Sequence, residues 1–517
     1  MGCLALAAYV RTLLPGIAFG DWGEMQTVPH VLGVAHPTGY PTYILLAWLA
    51  ELVPVGSIAF RANLFSAACV AAAVAATTLI ALRLGARPLI AMAAGLALGA
   101  TGTVWAAATV AEVNPLHLLM AALIIHRALV WAERRSPVDL TIGGLLVGLA
   151  LGNHLLTLFI APFVALFVLW SGRREIASRP AILALPVGAL LLGLAVYLYI
   201  PLAASQSPPL PYNHPVTLDG VLWLVSGTQF RGQFDFLSAR GPGEFVASLP
   251  DLWELLTARA TPVLPVLGLA GLVILVVRRP AFGLMCLGVA FSAVYIWANY
   301  LHLEHYLLVP LLVLAIGASV ALESAARAVA WLFARSTPRR AATATATGAG
   351  GGADATAGAM TMATAAGLAI GAAAIGGALV LAAGNWDRAD RSGDRSGQEY
   401  VDAVFAALPP NAAILSYWDA STPLWHGQLV EGRRSDVLIV DDTNIVYEGW
   451  VTRERRISSL ICERPVFILR LGDADLVPTE QAFRLTPLIT VRVAAGEPTA
   501  AWTRDIYRVE QQSPGGC

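Results

Sequence analysis

The stretch Gly20-Asp21-Trp22-Gly23-Glu24, continued by Gln26, His30 and the run His36-Pro37-Thr38-Gly39-Tyr40-Pro41, decides how the rest of the chain is read. It follows directly on an apolar segment, residues 3–19. It holds two carboxylates three residues apart, then two histidines, and no lysine or arginine. Carboxylates just past a membrane segment are costly to keep near hydrocarbon, so they mark a functional site by default. The competing reading is an ordinary solvated loop with Asp21 as a helix N-cap. The histidines and the turn at 37–41 weigh against it.

Composition sets the class. Of 517 residues, 57% are hydrophobic and 13% charged, and the mean hydropathy is +0.66; a soluble chain averages about 25% charged. The chain is therefore a polytopic membrane protein. A net charge of −1 gives no global field for nucleic acid. The cysteines, Cys3, Cys69, Cys286, Cys462 and Cys517, are scattered and show no zinc or disulfide spacing. Cys462 and Cys517 could pair only if both lie outside the cell. The first apolar segment has neither a charged start nor a clear cleavage site, so no cleavable signal is expected. Its abrupt start leaves room for a few residues upstream.

Segments apolar over roughly 18 residues or more can cross a bilayer as helices. They lie near residues 3–19, 58–83, 88–108, 112–132, 138–154, 155–170, 181–203, 261–278, 281–300, 304–331 and 361–384. Arginines cluster at Arg83 and Arg87, Arg134 and Arg135, Arg173, Arg174 and Arg179, Arg278 and Arg279, and Arg335, Arg339 and Arg340. Every second loop is basic, which places those loops in the cytoplasm. Residues 39–53 are apolar too. For the chain start and the Arg83 loop both to face inward, 39–53 does not cross. Short, bounded by prolines and carrying Glu51, it is laid along the outer surface. The expectation is a mainly α bundle of about eleven transmembrane helices in the plasma membrane. The N-terminus is then cytoplasmic and the C-terminus outside.

On that topology the outer face collects the specific polar groups: Asp21, Glu24, His30 and His36; Glu112 and Asn114; Asn153 and His154; Tyr212, His214, Gln229 and Arg231; His302, Glu304 and His305. The inner face shows arginines and little else. Residues 336–360, rich in Ala, Thr and Gly, read as a flexible linker. From Asn385 the character changes. An amphipathic run at 399–407, apolar strands at 413–417, 437–440 and 466–471, and a helix at 423–430 suggest a small α/β domain. It has no Gly-rich phosphate loop. Asp441-Asp442 at a strand end reads as a solvated terminus rather than a site. The domains are then a transmembrane catalytic domain over residues 1–335; the linker, 336–360; the last span, 361–384; and an extracytoplasmic α/β domain, 385–517.

An outward-facing carboxylate can act as general base on an acceptor hydroxyl attacking an activated sugar carbon. Nucleotide sugars are not normally at hand there; a sugar on a polyprenyl phosphate solves the supply. Its leaving phosphate needs cations or hydrogen-bond donors, for which Arg231 is the best-placed outer arginine, with His302 and His305 behind it. Asp21 is assigned as base and Glu24, its neighbour on a helix, as partner or acceptor-binding group. His30, His36, Tyr40, Glu112, Asn153, His154 and Gln229 complete the substrate-binding candidates. Each has a plainer alternative. Glu112 could mark the interface, His154 a polar hairpin tip, and His30 packing. Arg61 and Asn63 could be interfacial anchors. His302 and His305 at i, i+3 lack a clear third ligand, so no metal site is assigned.

These residues carry a family resemblance. The opening run, then Ala35-His36-Pro37-Thr38-Gly39-Tyr40-Pro41-Thr42-Tyr43 and Phe60-Arg61-Ala62-Asn63-Leu64-Phe65-Ser66, resemble a membrane family long catalogued as a domain of unknown function. Its eukaryotic relatives are protein O-mannosyltransferases of the GT-C class. Ala111-Glu112-Val113-Asn114, Gly152-Asn153-His154-Leu155, Tyr197-Leu198-Tyr199-Ile200-Pro201, Ser226-Gly227-Thr228-Gln229-Phe230-Arg231 and His302-Leu303-Glu304-His305-Tyr306 extend it over roughly 10–310. The resemblance implies a GT-C fold and a polyprenyl-phosphate sugar donor, with mannose as the sugar and Asp21 or Glu24 as the catalytic acid residue. Thr38 and Asn114 depart from the pattern, in place of a proline and an aromatic, and leave the acceptor, protein or glycan, open. The rival readings are a lipid-linked sugar flippase, which predicts charges deep in the spans and an internal repeat, and a non-catalytic envelope assembly protein, which leaves the Asp21 loop without a task.

Overall fold

A computed structural model describes residues 1–230, 242–299, 303–336, 351–470, 475–493 and 502–512. Arg231, His302 and Cys517 lie outside them. The chain begins with α1 (Gly2–Thr12), α2 (Gly20–Thr27) and α3 (Pro41–Glu51), then α4 (Ile58–Arg83), α5 (Pro88–Ala100), α6 (Gly102–Ala108), α7 (Val113–Arg134), α8 (Pro137–Leu151) and α9 (Thr157–Ser171). Among the described residues six helices are long and apolar enough to cross a membrane, or up to eight if two bent pairs each count as one span. Helices α8 and α9 are shorter apolar helices, 15 residues each. Residues 304–333 form the central member, with 89% of its apolar window buried, whereas 180–205 is peripheral, with 6% buried. Leu185, Leu191, Leu192 and Leu198 of that peripheral helix point outward, as lipid-facing leucines do.

Two expected spans depart from simple rods. The first helix stops at Thr12 because Leu14 precedes Pro15, which disfavours the helical region. The freed backbone of 13–19 is satisfied by side chains. Asn63 donates to Leu14 O at 2.8 Å. Gln26 donates to Gly16 O at 3.1 Å and accepts from Ala18 N at 2.9 Å. Irregular backbone at membrane depth is tolerated only when it is buried and paired in this way. Asn63 is thus a fully buried clip, not an interfacial anchor. The expected 88–108 span is α5 and α6, bent by 70°. Helix α3, at 11 residues and about 1.5 Å per residue, is too short to cross; Arg61 ties the turn after it by donating to Glu51 O, Val55 O and Gly56 O. At one close approach, a Cβ on Gly148 would stand 2.3 Å from Leu190 O. Small residues let backbones touch there.

The C-terminal domain is a five-stranded sheet of order β2-β1-β3-β5-β4. Strand β1 (Ala413–Ser416) pairs in parallel with β2 (Leu438–Asp441) and β3 (Val466–Leu469). Strand β5 (Trp502–Gln511) runs antiparallel to β3 and to β4 (Phe483–Val493). The sequence reading found the buried parallel strands and missed the antiparallel pair. The amphipathic helix Ser396–Ala407 buries Tyr400, Val401, Val404 and Phe405 against the sheet, and Ile17 of the first loop enters the same core. The domain is therefore seated on the stretch that precedes Asp21.

Candidate active site

Helix α2 begins at Gly20, whose φ of +59° suits glycine. Gly23 faces the C-terminal domain: a Cβ there would meet Ala18 O at 2.4 Å and Thr422 Oγ1 at 2.8 Å. The glycines of the opening run thus admit the helix Trp418–Trp425 against α2. Asp21 and Glu24 are neighbours at i, i+3, but Asp21 is exposed while Glu24 is 2% exposed.

Glu24 accepts from the backbone N–H of His36 at 2.9 Å and pairs with His36 Nδ1. The Tyr40 hydroxyl lies 3.1 Å from His36 Nε2. Burial pushes the Glu24 carboxyl up. Burial would push His36 down, but the carboxylates of Glu24 and Asp21 more than offset it and hold the imidazolium up to about 9. The carboxylates thus favour the proton on His36. Asp21 is held differently: the Trp418 indole N–H donates to Asp21 Oδ1 at 2.9 Å. The Trp418 ring stands edge-on to His36, with centroids 5.5 Å apart.

Asp21 opens into a cavity of about 740 Å³. His36, Tyr40, Glu112, Asn114, His154, Gln229, His305 and Tyr306 line it with polar groups, while Leu155, Leu158, Phe159 and Ile296 make its apolar wall. Glu112 caps α7 and accepts from Trp22 Nε1 at 3.1 Å and Asn114 Nδ2 at 3.1 Å. Gln229 accepts from the Tyr212 hydroxyl at 2.6 Å. His154 Nδ1 accepts from Leu156 N at 3.1 Å. Glu24 stands behind His36 and does not line this cavity, and two further candidates lie off it. His30 sits 3.4 Å from Glu51, and buried Asn153 donates to Val113 O at 3.1 Å. Among the described residues no three His, Cys, Asp or Glu side chains gather as a metal needs.

Tyr417, Trp418 and Thr443 of the C-terminal domain also line the cavity, and none was singled out from the sequence. A usable signal exists: Tyr417 and Trp418 follow β1 and Thr443 follows β2, and ligands bind beyond the carboxyl ends of parallel strands. Asp441, read as a solvated terminus, is 3% exposed. It accepts from the backbone N–H of Thr443 at 2.7 Å, and burial pushes its carboxyl up to about 7.

Membrane bundle, cavity-wall carboxylate and small sheet domain together define a fold class. The chain superposes on crystal structures of ArnT from Cupriavidus metallidurans. In the apo state the TM-score is 0.58 at 13% identity, covering 98% of this chain and 96% of that one. Bound to undecaprenyl phosphate it is 0.59 at 15%, with the same coverage. The Archaeoglobus fulgidus oligosaccharyltransferase complex with Zn and sulfate gives 0.50 at 12%, covering 99% and 73%. Identities this low carry the GT-C fold alone.

Sequence relatives narrow the class. Residues 21–177 match the family described as the Protein O-mannosyl-transferase TMEM260 N-terminal domain, a match that starts at Asp21. The mouse Protein O-mannosyl-transferase TMEM260 is 32% identical over 208 residues, 39% of this chain and 29% of that protein. The Dictyostelium discoideum protein of the same name is 36% identical over 61 residues, 11% of this chain and 7% of that one. The aligned region thus spans under a third of either relative. The resemblance read from the sequence is the one these matches bear out, over its N-terminal portion.

Proposed function

We propose that this chain is a membrane glycosyltransferase that moves mannose from a polyprenyl-phosphate carrier to a protein or glycan hydroxyl at the outer face. The observation that carries the reading is Asp21. Its carboxylate stands at the wall of a cavity whose other side is apolar enough for a lipid chain. The named neighbours are consistent with this: one ArnT structure holds undecaprenyl phosphate, and the mouse relative is named for O-mannosyl transfer.

In this reading Asp21 takes the proton of the acceptor hydroxyl as its oxygen attacks the anomeric carbon. The bond to the carrier phosphate breaks on the opposite face, so the configuration inverts. Gln229 and His305 supply donors to the leaving phosphate, and Arg231 and His302 are retained as proposed phosphate ligands. Glu24 keeps His36 charged beside the reacting centre. The proposed domains are a catalytic domain over residues 1–335, the linker 336–360, the span 361–384 and an outer domain 385–517. A reporter fused after Gly384 should be active only outside; cytoplasmic activity would end the outward reading.

The deciding experiment is transfer in vitro. Purified protein with a panel of polyprenyl-phosphate sugars should release free polyprenyl phosphate and glycosylate a hydroxyl acceptor. Movement of the intact carrier across vesicles without cleavage would make the protein a flippase.

A further inference from the structure

A second cavity, of about 300 Å³, lies on the other side of Trp418. Tyr212 and Trp418 line both cavities. Trp425 and Tyr447 add aromatic walls, and Glu24, Asp441, Asn444 and Glu448 add oxygen acceptors. No lysine or arginine lines it. Asp441 is 3% exposed; the hydroxyls of Ser421 and Thr443 approach its carboxyl, but its Oδ2 makes no hydrogen bond of good geometry among the described residues, and neither does Asn444 Oδ1. A buried acceptor without a donor is costly. Its presence in a cavity wall points to an occupant that brings the donor.

The walls say what kind of donor. Aromatic faces attract cations, more strongly when water is excluded. Carboxylates do the same and repel anions. A carrier phosphate would meet three carboxyl groups and no lysine or arginine in the lining, so this is not its place. A glycan needs donors as well as acceptors around its hydroxyls. The Tyr212 hydroxyl is already given to Gln229; the Asn213 and Asn444 amides, the Trp425 indole and the Tyr447 hydroxyl remain as donors, so a glycan is the competing occupant that the glycoside arm of the test below decides.

Resting on the glycosyltransferase reading above, we propose that this second cavity is the acceptor pocket, and that it takes the cationic side chain of a polypeptide residue near the acceptor hydroxyl. The neighbouring serine or threonine then passes the edge of Trp418 to reach Asp21. The C-terminal domain, which supplies Trp418, Trp425, Asp441, Asn444 and Glu448, selects the acceptor. The membrane bundle holds the donor.

The test uses the full chain and synthetic peptides that carry one threonine flanked by Lys, Gln or Glu. Binding is read by calorimetry, and transfer by acceptor and donor KM separately. The Lys peptide should bind about tenfold more tightly than the Gln peptide, and the Glu peptide most weakly. Asp441→Asn should erase the preference while leaving donor KM unchanged. Glu448→Gln, at a side chain already 44% exposed, should weaken it in a variant with little folding risk. A wild type that binds the three peptides alike overturns the proposal. So does a donor KM that moves in place of the acceptor KM, or saturation by simple glycosides but by no peptide. If basic peptides bind through Asp441 yet no sugar is transferred, the pocket stands and the transferase reading falls.

Discussion

The two ends of the bundle treat their carboxylates in opposite ways. At the arginine-rich end Glu133 meets Arg83 at 2.7 Å, Glu323 meets Arg87 at 2.7 Å and Arg327 at 2.8 Å, and Asp139 meets Arg127 at 3.1 Å. At the α2 end, Asp21, Glu24 and Glu112 face indoles, amides and a histidine. No described arginine comes within ion-pair distance of them. The first arrangement neutralises charge and joins helices. The second keeps carboxylates able to take a proton or a hydroxyl, which is what an acid–base site requires. The acidic residues of the two groups thus serve different ends, and the partners tell which; Glu304, at the α2 end but paired with Arg259 at 3.0 Å, belongs by its partner with the first.

The largest expected effect separates the ends by chemistry. Asp21→Asn keeps size and the bond to Trp418 but removes basicity. Transfer should fall at least about a hundredfold, with insertion and donor binding retained. Near wild-type turnover in this variant, with Glu24→Gln inactive, would exchange their roles. Full activity in both would move the centre away from α2.

Trp418→Phe comes next. It removes the one donor to Asp21 that comes from the C-terminal domain while keeping the aromatic wall. A hydrogen bond to a charged group is worth about 1.5–3 kcal/mol. The variant should lose about tenfold or more in kcat with little change in donor KM. Unchanged kcat would reduce the seating of the domain on α2 to packing.

At the paired end the readout is stability. Glu323 is 6% exposed, and Glu323→Ala leaves Arg87 and Arg327 without their shared carboxylate. The arginines left behind are partly exposed, so the loss should be about 1–3 kcal/mol. The melting temperature in detergent should drop while activity per folded molecule holds. A drop in specific activity at unchanged melting temperature would undo the contrast between the ends.

What could be read in advance follows the same division. The long apolar helices and the parallel strands were legible because long apolar runs and short buried strands are local signals, whereas the number of spans, six to eight among the described residues against about eleven expected, was not. The break at Leu14-Pro15 was legible in principle, yet its rescue by Asn63 and Gln26 was not, since those contacts join distant regions of the chain. Asp21, His36 and Glu112 stood out because charge beside apolar sequence is rare. Trp418 did not, because an aromatic after a strand is ordinary until the domain is seated on α2. Strands β4 and β5 were missed because Pro487 and the many charged positions mask their alternation.

The smallest effect concerns the proton shared by Glu24 and His36. His36 is raised from 6.5 to about 9, its carboxylate neighbours more than offsetting burial. A histidine whose folded value lies above its unfolded one binds its proton more tightly when folded. The pair's contribution to stability is therefore complete below about pH 6.5 and is lost as pH rises through about 9. Wild-type melting temperature should decline across that window. His36→Gln still hydrogen-bonds Glu24 but cannot titrate, so its curve should be flatter there, and the difference between the two curves isolates the pair from other alkaline titrations. Parallel curves would mean that His36 is neutral in the folded protein. Glu24 would then hold the proton, and the α2 end would carry one fewer charged pair than its geometry implies.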